Sequence, residues 1–427
     1  MLKKIPFLNG LVWLVILFVI PLPLIQTLGN GLPAIYANES LAIQWGTIAY
    51  VWFLVAIYLS TRPKWLDRLI GLPSLYFIHG MLSLLALFLA YLHKEQTHSY
   101  GLIKQTGDWA FDLLVGLMIY SLVFMAGWLT NRVKPLRQLK RWLEQFFHHE
   151  LSVWLHRLNL VAVVLVFVHV QLISYITSIH PFMWWFDGLT AVVAILYFYQ
   201  KLYNYRLRPT GKLVAKEAIA PNFYQFTIQM HHPRLTKIKP GDYIFISFPQ
   251  IPQLKELHPF SVINDVATSG KVVLAIRGDG DFTRHIQTLP LGVQVAMTGG
   301  YGKFDSLLQD NPTDSLVLVA GGTGIAPIIA IMIANTDRPI ELYYSAHNTK
   351  ELVYQTEFEQ LAQQYPNIKL HIQSGRFDVQ TVVRHLIQQP NQLYLISGPA
   401  SMGYAWQKSI LAAGVNPNKV YYEEFSW

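Results

Sequence analysis

Residues 73–93 read PSLYFIHGMLSLLALFLAYLH, a run without Asp, Glu, Lys or Arg that carries two histidines, His79 and His93. About 20 mostly apolar residues suffice for one helix to cross a hydrocarbon core of about 30 Å. An imidazole at that depth is costly to bury, so it reads as functional before it reads as packing. His79 and His93 are 14 apart. At about 100° and 1.5 Å per residue this is four turns with an offset of about 40° and a rise of about 21 Å, so both rings share one helix face near opposite leaflets.

Five further stretches have the same character, at residues 8–29, 41–60, 109–130, 151–177 and 183–203. No small-x-small cleavage site follows the first, so it is expected to remain as a span rather than leave as a signal peptide. Hydrophobic residues make up 52% of the 427 and charged residues 14%, against about 25% charged in ordinary globular chains. Residues 5–61 hold a single formal charge, Glu39, whereas the chain beyond residue 205 has a soluble charge density.

The net charge is +8. Its basic residues cluster beside apolar runs: Lys3 and Lys4, then Arg62, Lys64 and Arg68, then Arg132, Lys134, Arg137, Lys140 and Arg141, and finally Lys201, Arg206, Arg208 and Lys212. That pattern is topology rather than nucleic-acid binding: cytoplasmic loops carry the excess of Lys and Arg. The opposite loops, expected at 30–40, 94–108 and 178–182, hold only Lys94 and Lys104. Both termini, and everything after residue 205, are therefore expected on the cytoplasmic side of a plasma membrane.

The fifth stretch carries His156 and His169, parallel to the third, so His79 is expected to meet His156 near the cytoplasm and His93 to meet His169 near the outside. Neutral imidazole is a good axial ligand for haem iron, and two such pairs could hold two haems, one above the other. His156 and His169 are 13 apart, which leaves a 140° offset on an ideal helix, to be made up by tilt, bending or a locally tightened turn. His98, His148, His149 and His180 lie at helix ends and are alternative ligands, with an interfacial position the simpler reading. Arg157 is placed to meet a haem propionate or to snorkel to the surface. With no cysteine in the chain, disulfides, Cys-ligated iron–sulfur clusters and thiolate haem ligation are excluded.

The second half is β-rich over 207–305, with alternating runs at Phe223–Met230, Asp242–Phe248 and Val272–Arg277 broken by turns such as Lys239-Pro240-Gly241, which suggests a small antiparallel barrel. Over 313–427 strands alternate with helices: Ser315–Ala320, then Gly321-Gly322-Thr323-Gly324-Ile325-Ala326-Pro327 opening a helix, with further strands at 339–345, 368–373 and 392–397. A strand, a glycine loop and a helix N-terminus form a phosphate cradle, and the absence of Gly-Lys-Ser/Thr excludes a Walker loop. The expected domains are 1–205, 206–308 and 309–427.

On these residues the chain resembles the NADPH oxidase and ferric reductase superfamily, and most closely its compact bacterial members. The resemblance implies a six-helix transmembrane haem domain followed by a ferredoxin–NADP reductase-like module, an antiparallel β-barrel for FAD and an α/β domain for the nicotinamide nucleotide. His258-Pro259-Phe260-Ser261-Val262 resembles the segment lying along the flavin, with His258 where relatives often carry arginine and Ser261 as a flavin hydrogen-bond partner. Arg277-Gly278-Asp279-Gly280-Asp281-Phe282-Thr283 is similar to the pyrophosphate turn, which makes Arg277, Gly280 and Thr283 cofactor residues. Gly299-Gly300-Tyr301-Gly302 resembles a Gly-Pro-Tyr-Gly element with Gly300 in place of proline. The resemblance assigns Gly321, Gly322, Thr323, Gly324, Ile325 and Pro327 to the dinucleotide. Ser397-Gly398-Pro399 resembles a Cys-Gly-Pro element beside the nicotinamide, here without its cysteine. Arg376, after Gly375, implies a 2′-phosphate and so NADPH, while His347, where such enzymes often have another basic residue, leaves NADH open. Phe425 is the expected aromatic on the flavin, with Trp427 its rival.

The resemblance implies electron transfer from NADPH through FAD to two b-type haems on His79/His156 and His93/His169, and then by outer-sphere transfer to an external acceptor. Dioxygen, giving superoxide, is the first reading. A ferric or cupric chelate is the second, and a haem-free membrane flavoreductase the third. No regulatory domain is recognisable, so activity without an obligatory protein activator is expected.

Overall fold

The computed structural model describes residues 8–124, 138, 154–203, 208–232 and 237–424. The chain divides into two compact units, Met1–Leu66 with Ile70–Leu202, and Asp67–Leu69 with Tyr203–Trp427.

The first unit holds six helices long and apolar enough to cross a membrane: α1 (Leu8–Gly31), α2 (Ala34–Ser60), α3 (Leu72–Gln96), α4 (Gly101–Phe124), α5 (Trp154–Gln171) and α6 (His180–Leu202). Their outward faces stay apolar although they are uncovered: Phe18 is 67% exposed, Trp184 78% and Phe198 68%. In water such a surface would be an aggregation hazard, whereas in lipid it is the ordinary state.

Two expected boundaries shift. The outer loop expected at 94–108 is mostly helical, since α3 runs to Gln96 and α4 begins at Gly101. The charges there pair with one another: Asp108 accepts from Lys104 at 2.7 Å and pairs with Lys94 at 2.9 Å. The fifth span, expected to reach 177, stops at Gln171. Ile173 turns extended there, and a separate short helix, Ser174–Thr177, follows.

The second unit is built on two sheets. Strands β1 (Thr210–Ala220), β2 (Phe223–Met230), β3 (Tyr243–Ser247), β4 (His258–Ser261), β5 (Lys271–Arg277) and β6 (Gln294–Met297) form an antiparallel sheet in the order β4-β3-β6-β1-β2-β5. A bridge between Val262 and Leu274 ties the end of β4 to β5 and closes the barrel. Its interior is filled by Leu213, Phe226, Ile244, Ile246, Val272, Leu274 and their neighbours, each nearly inaccessible. The second sheet is fully parallel, β7 (Ser315–Gly321), β8 (Ile340–Ala346), β9 (Ile368–Ser374), β10 (Gln392–Gly398) and β11 (Val420–Glu424), in the order β11-β10-β7-β8-β9. β7, β8 and β10 are buried along nearly their whole length, as expected of parallel strands covered on both faces. Chain order reverses between β7 and β10, and in open α/β sheets ligands bind beyond the carboxyl ends of the strands at that switch point.

Candidate functional site

In the helical unit the four histidines meet as two pairs. The rings of His79 and His156 have centroids 5.9 Å apart, and those of His93 and His169 6.4 Å. Every Nδ1 is engaged away from its partner: His79 donates to Ala56 O at 2.9 Å, His93 to Ala42 O at 2.9 Å and His169 to Ile103 O at 2.8 Å. His156 Nδ1 lies 2.9 Å from Ser121 Oγ. A carbonyl can only accept, so at least three rings carry the Nδ1 proton and leave Nε2 as a free lone pair. A metal held between two imidazole nitrogens at roughly 2 Å, each about 1 Å from its ring centre, separates the centroids by roughly 6 Å. The spacing therefore fits one iron per pair. Among the described residues no group of three or more His, Cys, Asp or Glu side chains gathers as a metal cluster.

Part of the rotation that the 13-residue spacing on α5 requires is supplied locally. Leu158 N–H bonds Leu155 O and Val161 N–H bonds Leu158 O, both three residues back, and the Asn159 amide donates to His156 O at 2.8 Å. This tightened turn adds rotation in the direction the spacing requires. His98 is exposed beside Glu39 at 3.3 Å, and His180 and Arg157 are exposed. His148 and His149 lie outside the described residues.

In the barrel, β4 presents His258 to Ser261 against β3, with Tyr243 opposite Ser261 and Ile246 opposite His258. The His258 ring stacks on Phe282 at 3.9 Å, with Phe260 6.0 Å from the same ring. Ser261 is 5% exposed, and its Oγ has no hydrogen-bond partner among the described residues. Buried hydroxyls are nearly always satisfied, so this one fits a polar ligand such as the flavin. The Val262 side chain lies in the barrel core, wholly inaccessible, which leaves its backbone as the part that can meet a ligand. Thr283 and Arg277 stand at the start of the helix Asp281–Ile286 and the end of β5. Thr283 Oγ accepts from Gly280 N–H at 2.8 Å and donates to Gly280 O, which caps its own helix. Arg277 is turned to Asp279 at 2.8 Å and Glu351 at 3.6 Å.

At the switch point two glycine loops lie against each other. A Cβ on Gly324 would stand 2.3 Å from Ser397 O, so the turn after β7 closes on the end of β10 only as glycine. Ser397 is fully buried, and its Oγ likewise has no partner among the described residues. Gly322 and Thr323 sit in the short turn between β7 and the helix Ile325–Ala334. Ile325 and Pro327 are not cofactor-facing side chains, because both are buried in the packing of that helix. Arg376 and His347 are exposed just beyond the adjacent ends of β9 and β8, where Ala346 pairs with Ser374 and Gly375 N–H bonds Ala346 O. Phe425 and Trp427 lie outside the described residues.

A buried polar cluster that no motif announces lies around Asp242. Arg68, read only as a topology charge, donates to both Asp242 carboxylate oxygens at 2.5 and 2.6 Å and to Gly302 O at 2.8 Å. Asp67 accepts from Gly302 N–H at 2.9 Å. Burial pushes Asp242 up to about 6 although Arg68 opposes it, and burial together with Asp67 and Asp242 holds Glu423 well above the ordinary glutamate range. The one available signal was Gly300. A Cβ there would stand 2.0 Å from Asp242 Oδ2, which explains why proline is absent.

Residues 217–322 match the family of FAD-binding domains, and residues 318–408 the oxidoreductase NAD-binding domain. No ferric reductase transmembrane family matches. The chain is 29% identical over 173 residues to methane monooxygenase component C of Methylosinus trichosporium, covering 38% of this chain and 49% of that one. To NADH-cytochrome b5 reductase 1 of Laccaria bicolor it is 26% identical over 250 residues, covering 52% of this chain and 80% of the other. The chain thus spans about half the length of the first of these relatives. A solved Amycolatopsis cytochrome P450 reductase is similar at 19% identity and a TM-score of 0.44, over 51% of this chain and 69% of that one. The barrel and parallel sheet, matched over residues 217–408, are an FAD- and nicotinamide-nucleotide-binding module of the ferredoxin–NADP reductase type, and the chain is an oxidoreductase.

Proposed function

We propose that this oxidoreductase is a multi-pass plasma-membrane protein carrying electrons from NADPH, by way of FAD and two b-type haems, to an acceptor on the far side of the bilayer, with dioxygen the first candidate. The observation that carries this reading is the two histidine pairs, at centroid separations of 5.9 and 6.4 Å with their Nδ1 atoms turned outward. The six apolar helices and the positive-inside charge pattern support the location, with the flavin module cytoplasmic. A bound flavin accepts a hydride and passes electrons on singly, the conversion needed between a nicotinamide and a one-electron carrier.

The chain's own residues have distinct tasks in this scheme. Ser261 offers its buried hydroxyl to the flavin, and His258 with Phe282 forms an aromatic wall beside it. Gly321–Gly324 and Ser397–Pro399 bring backbone close to the nucleotide, with the Ser397 hydroxyl facing the nicotinamide end. Arg376 meets the 2′-phosphate of NADPH, a charge-assisted contact that NADH cannot make. His79, His156, His93 and His169 hold iron from both sides. An iron held between two imidazoles would have no protein-free ligand to exchange, so these residues would favour electron transfer over acceptor binding at the metal.

The test is made on the full chain purified in detergent. Two haems per flavin are expected, and each His→Ala change at the four positions should remove one. With NADPH, superoxide should form with no faster turnover of a ferric chelate. The reverse order would assign a ferric reductase, and a flavin-loaded chain free of haem would leave a membrane flavoreductase.

A further inference from the structure

The histidine pairs are set by residues outside the pairs themselves, and those residues repeat. His93 bonds Ala42 O, and its ring lies against Gly46, where a Cβ would stand 2.8 Å from Nδ1. His169 bonds Ile103 O, and its ring lies against Gly107, where a Cβ would stand 3.2 Å from both Nδ1 and Cε1. In both cases the glycine is four residues beyond the carbonyl. The reason is geometric. A helix carbonyl already accepts from the N–H four residues on, so a ring reaching the same oxygen from outside must pass the Cα of that residue. Only a missing Cβ leaves room. Glycine costs a helix about 1 kcal/mol relative to alanine, so helix propensity does not explain its presence.

The same four-residue spacing recurs 14 residues later on each helix, although on α2 Ser60 bonds Ile57 O and only α4 repeats the contact. Ala56, the partner of His79, is followed by Ser60 on α2, and on α4 the corresponding positions are Leu117 and Ser121. There the small residue joins the chain of hydrogen bonds. Ser121 Oγ donates to Leu117 O at 2.7 Å and so meets His156 Nδ1, at 2.9 Å, with a lone pair. Asn159 Nδ2 donates to His156 O at 2.8 Å and lies farther from the same ring nitrogen, at 3.4 Å, than Ser121 Oγ does. His156 therefore donates to a hydroxyl that relays it to a carbonyl, while the other three donate to carbonyls directly.

We propose that Gly46, Gly107 and Ser121 are positioning residues for the histidine pairs: the glycines open the path of His93 and His169 to Ala42 O and Ile103 O, and Ser121 relays His156 to Leu117 O, so that all four rings present Nε2 inward. This rests on the haem reading above. It also makes the two pairs chemically unequal. An acceptor on Nδ1–H raises the basicity of the ligand nitrogen and favours the oxidised metal. The pair at His93/His169 has two carbonyl acceptors, and the pair at His79/His156 has one carbonyl and one hydroxyl.

The experiment uses the full chain in detergent, with haem per chain read from haemochrome absorbance, FAD content as the measure of folded protein, and redox titration of the haems. Gly46→Ala and Gly107→Ala should each fall from two haems per chain to one with FAD retained. Gly116→Ala on α4, where a Cβ meets nothing within 4 Å, should keep two. Ser121→Ala should keep both haems but raise the midpoint potential of one, and Ser121→Thr should restore it. If both glycine variants keep two haems at wild-type potentials, or Ser121→Ala leaves both potentials unmoved, the positioning role is overturned while the haem reading stands. A flavin-loaded wild-type chain without haem overturns both.

Discussion

Arg68 grips Asp242 through both terminal guanidinium nitrogens, at 2.5 and 2.6 Å, with the Asp242 side chain 1% exposed and that of Arg68 24%. Removing one partner of a buried pair strands the other, at a cost of about 3–5 kcal/mol. Arg68→Met is predicted to destabilise the flavin unit by about 3 kcal/mol, towards the low end because Arg68 keeps some solvent. Denaturant titration followed by flavin release checks this. A change below the error of the titration would mean that the pair is not a fastening.

Glu423 and Asp242 set the pH dependence. Both are held above their ordinary range by burial, Asp242 up to about 6. A carboxyl raised on folding contributes stability that is complete below its unfolded value and is lost as pH rises through the folded one. The flavin unit is therefore predicted to lose stability as pH rises from about 4 through 6, the lower figure being the unfolded aspartate value, and further above that as Glu423 ionises. Glu423→Gln, which mimics the neutral acid, should flatten the upper part of the profile. Melting temperatures of both proteins between pH 5 and 8 measure it, and parallel curves would count against a neutral Glu423.

Phe282 stacks on His258 at 3.9 Å. Aromatic pairs contribute about 1 kcal/mol beyond area burial, so Phe282→Ala is predicted to weaken FAD binding roughly fivefold or more. Flavin fluorescence titration of the deflavinated chain gives the answer. Unchanged affinity would move the flavin away from this wall.

Arg376 is exposed beyond β9, next to the end of β8. Loss of a charged hydrogen bond costs about 1.5–3 kcal/mol, so Arg376→Ala is predicted to lower kcat/KM for NADPH roughly 10- to 100-fold while sparing NADH. An equal loss with both nucleotides would assign Arg376 to structure rather than to nucleotide choice.

What the sequence disclosed followed from regular periods. The 14-residue spacing of His79 and His93 survives as two rings on one face because a straight helix preserves it. The 13-residue spacing of His156 and His169 announced a distortion but not its place at Leu158, which depends on the Asn159 side chain reaching back to His156 O. The glycine loops at Gly321–Gly324 and Gly398 were legible because only glycine allows such backbone approach. Arg68 was not, since its partner Asp242 is 174 residues away and a lone charge near an apolar run looks like topology. Thr283 and Arg277 were legible as motif positions, whereas their present contacts, a helix cap and nearby carboxylates, were not. Motif position fixes a residue's place in the fold, and its side-chain partner is a separate choice.

The two histidine pairs also differ in how their rings are turned, at 65° for His79 and His156 and 88° for His93 and His169. Ring orientation at an axial nitrogen directs which iron d orbital it overlaps. If each pair holds an iron as proposed, the unequal ring angles would give the two centres different paramagnetic resonance signals at low temperature, so that they could be told apart without mutating either.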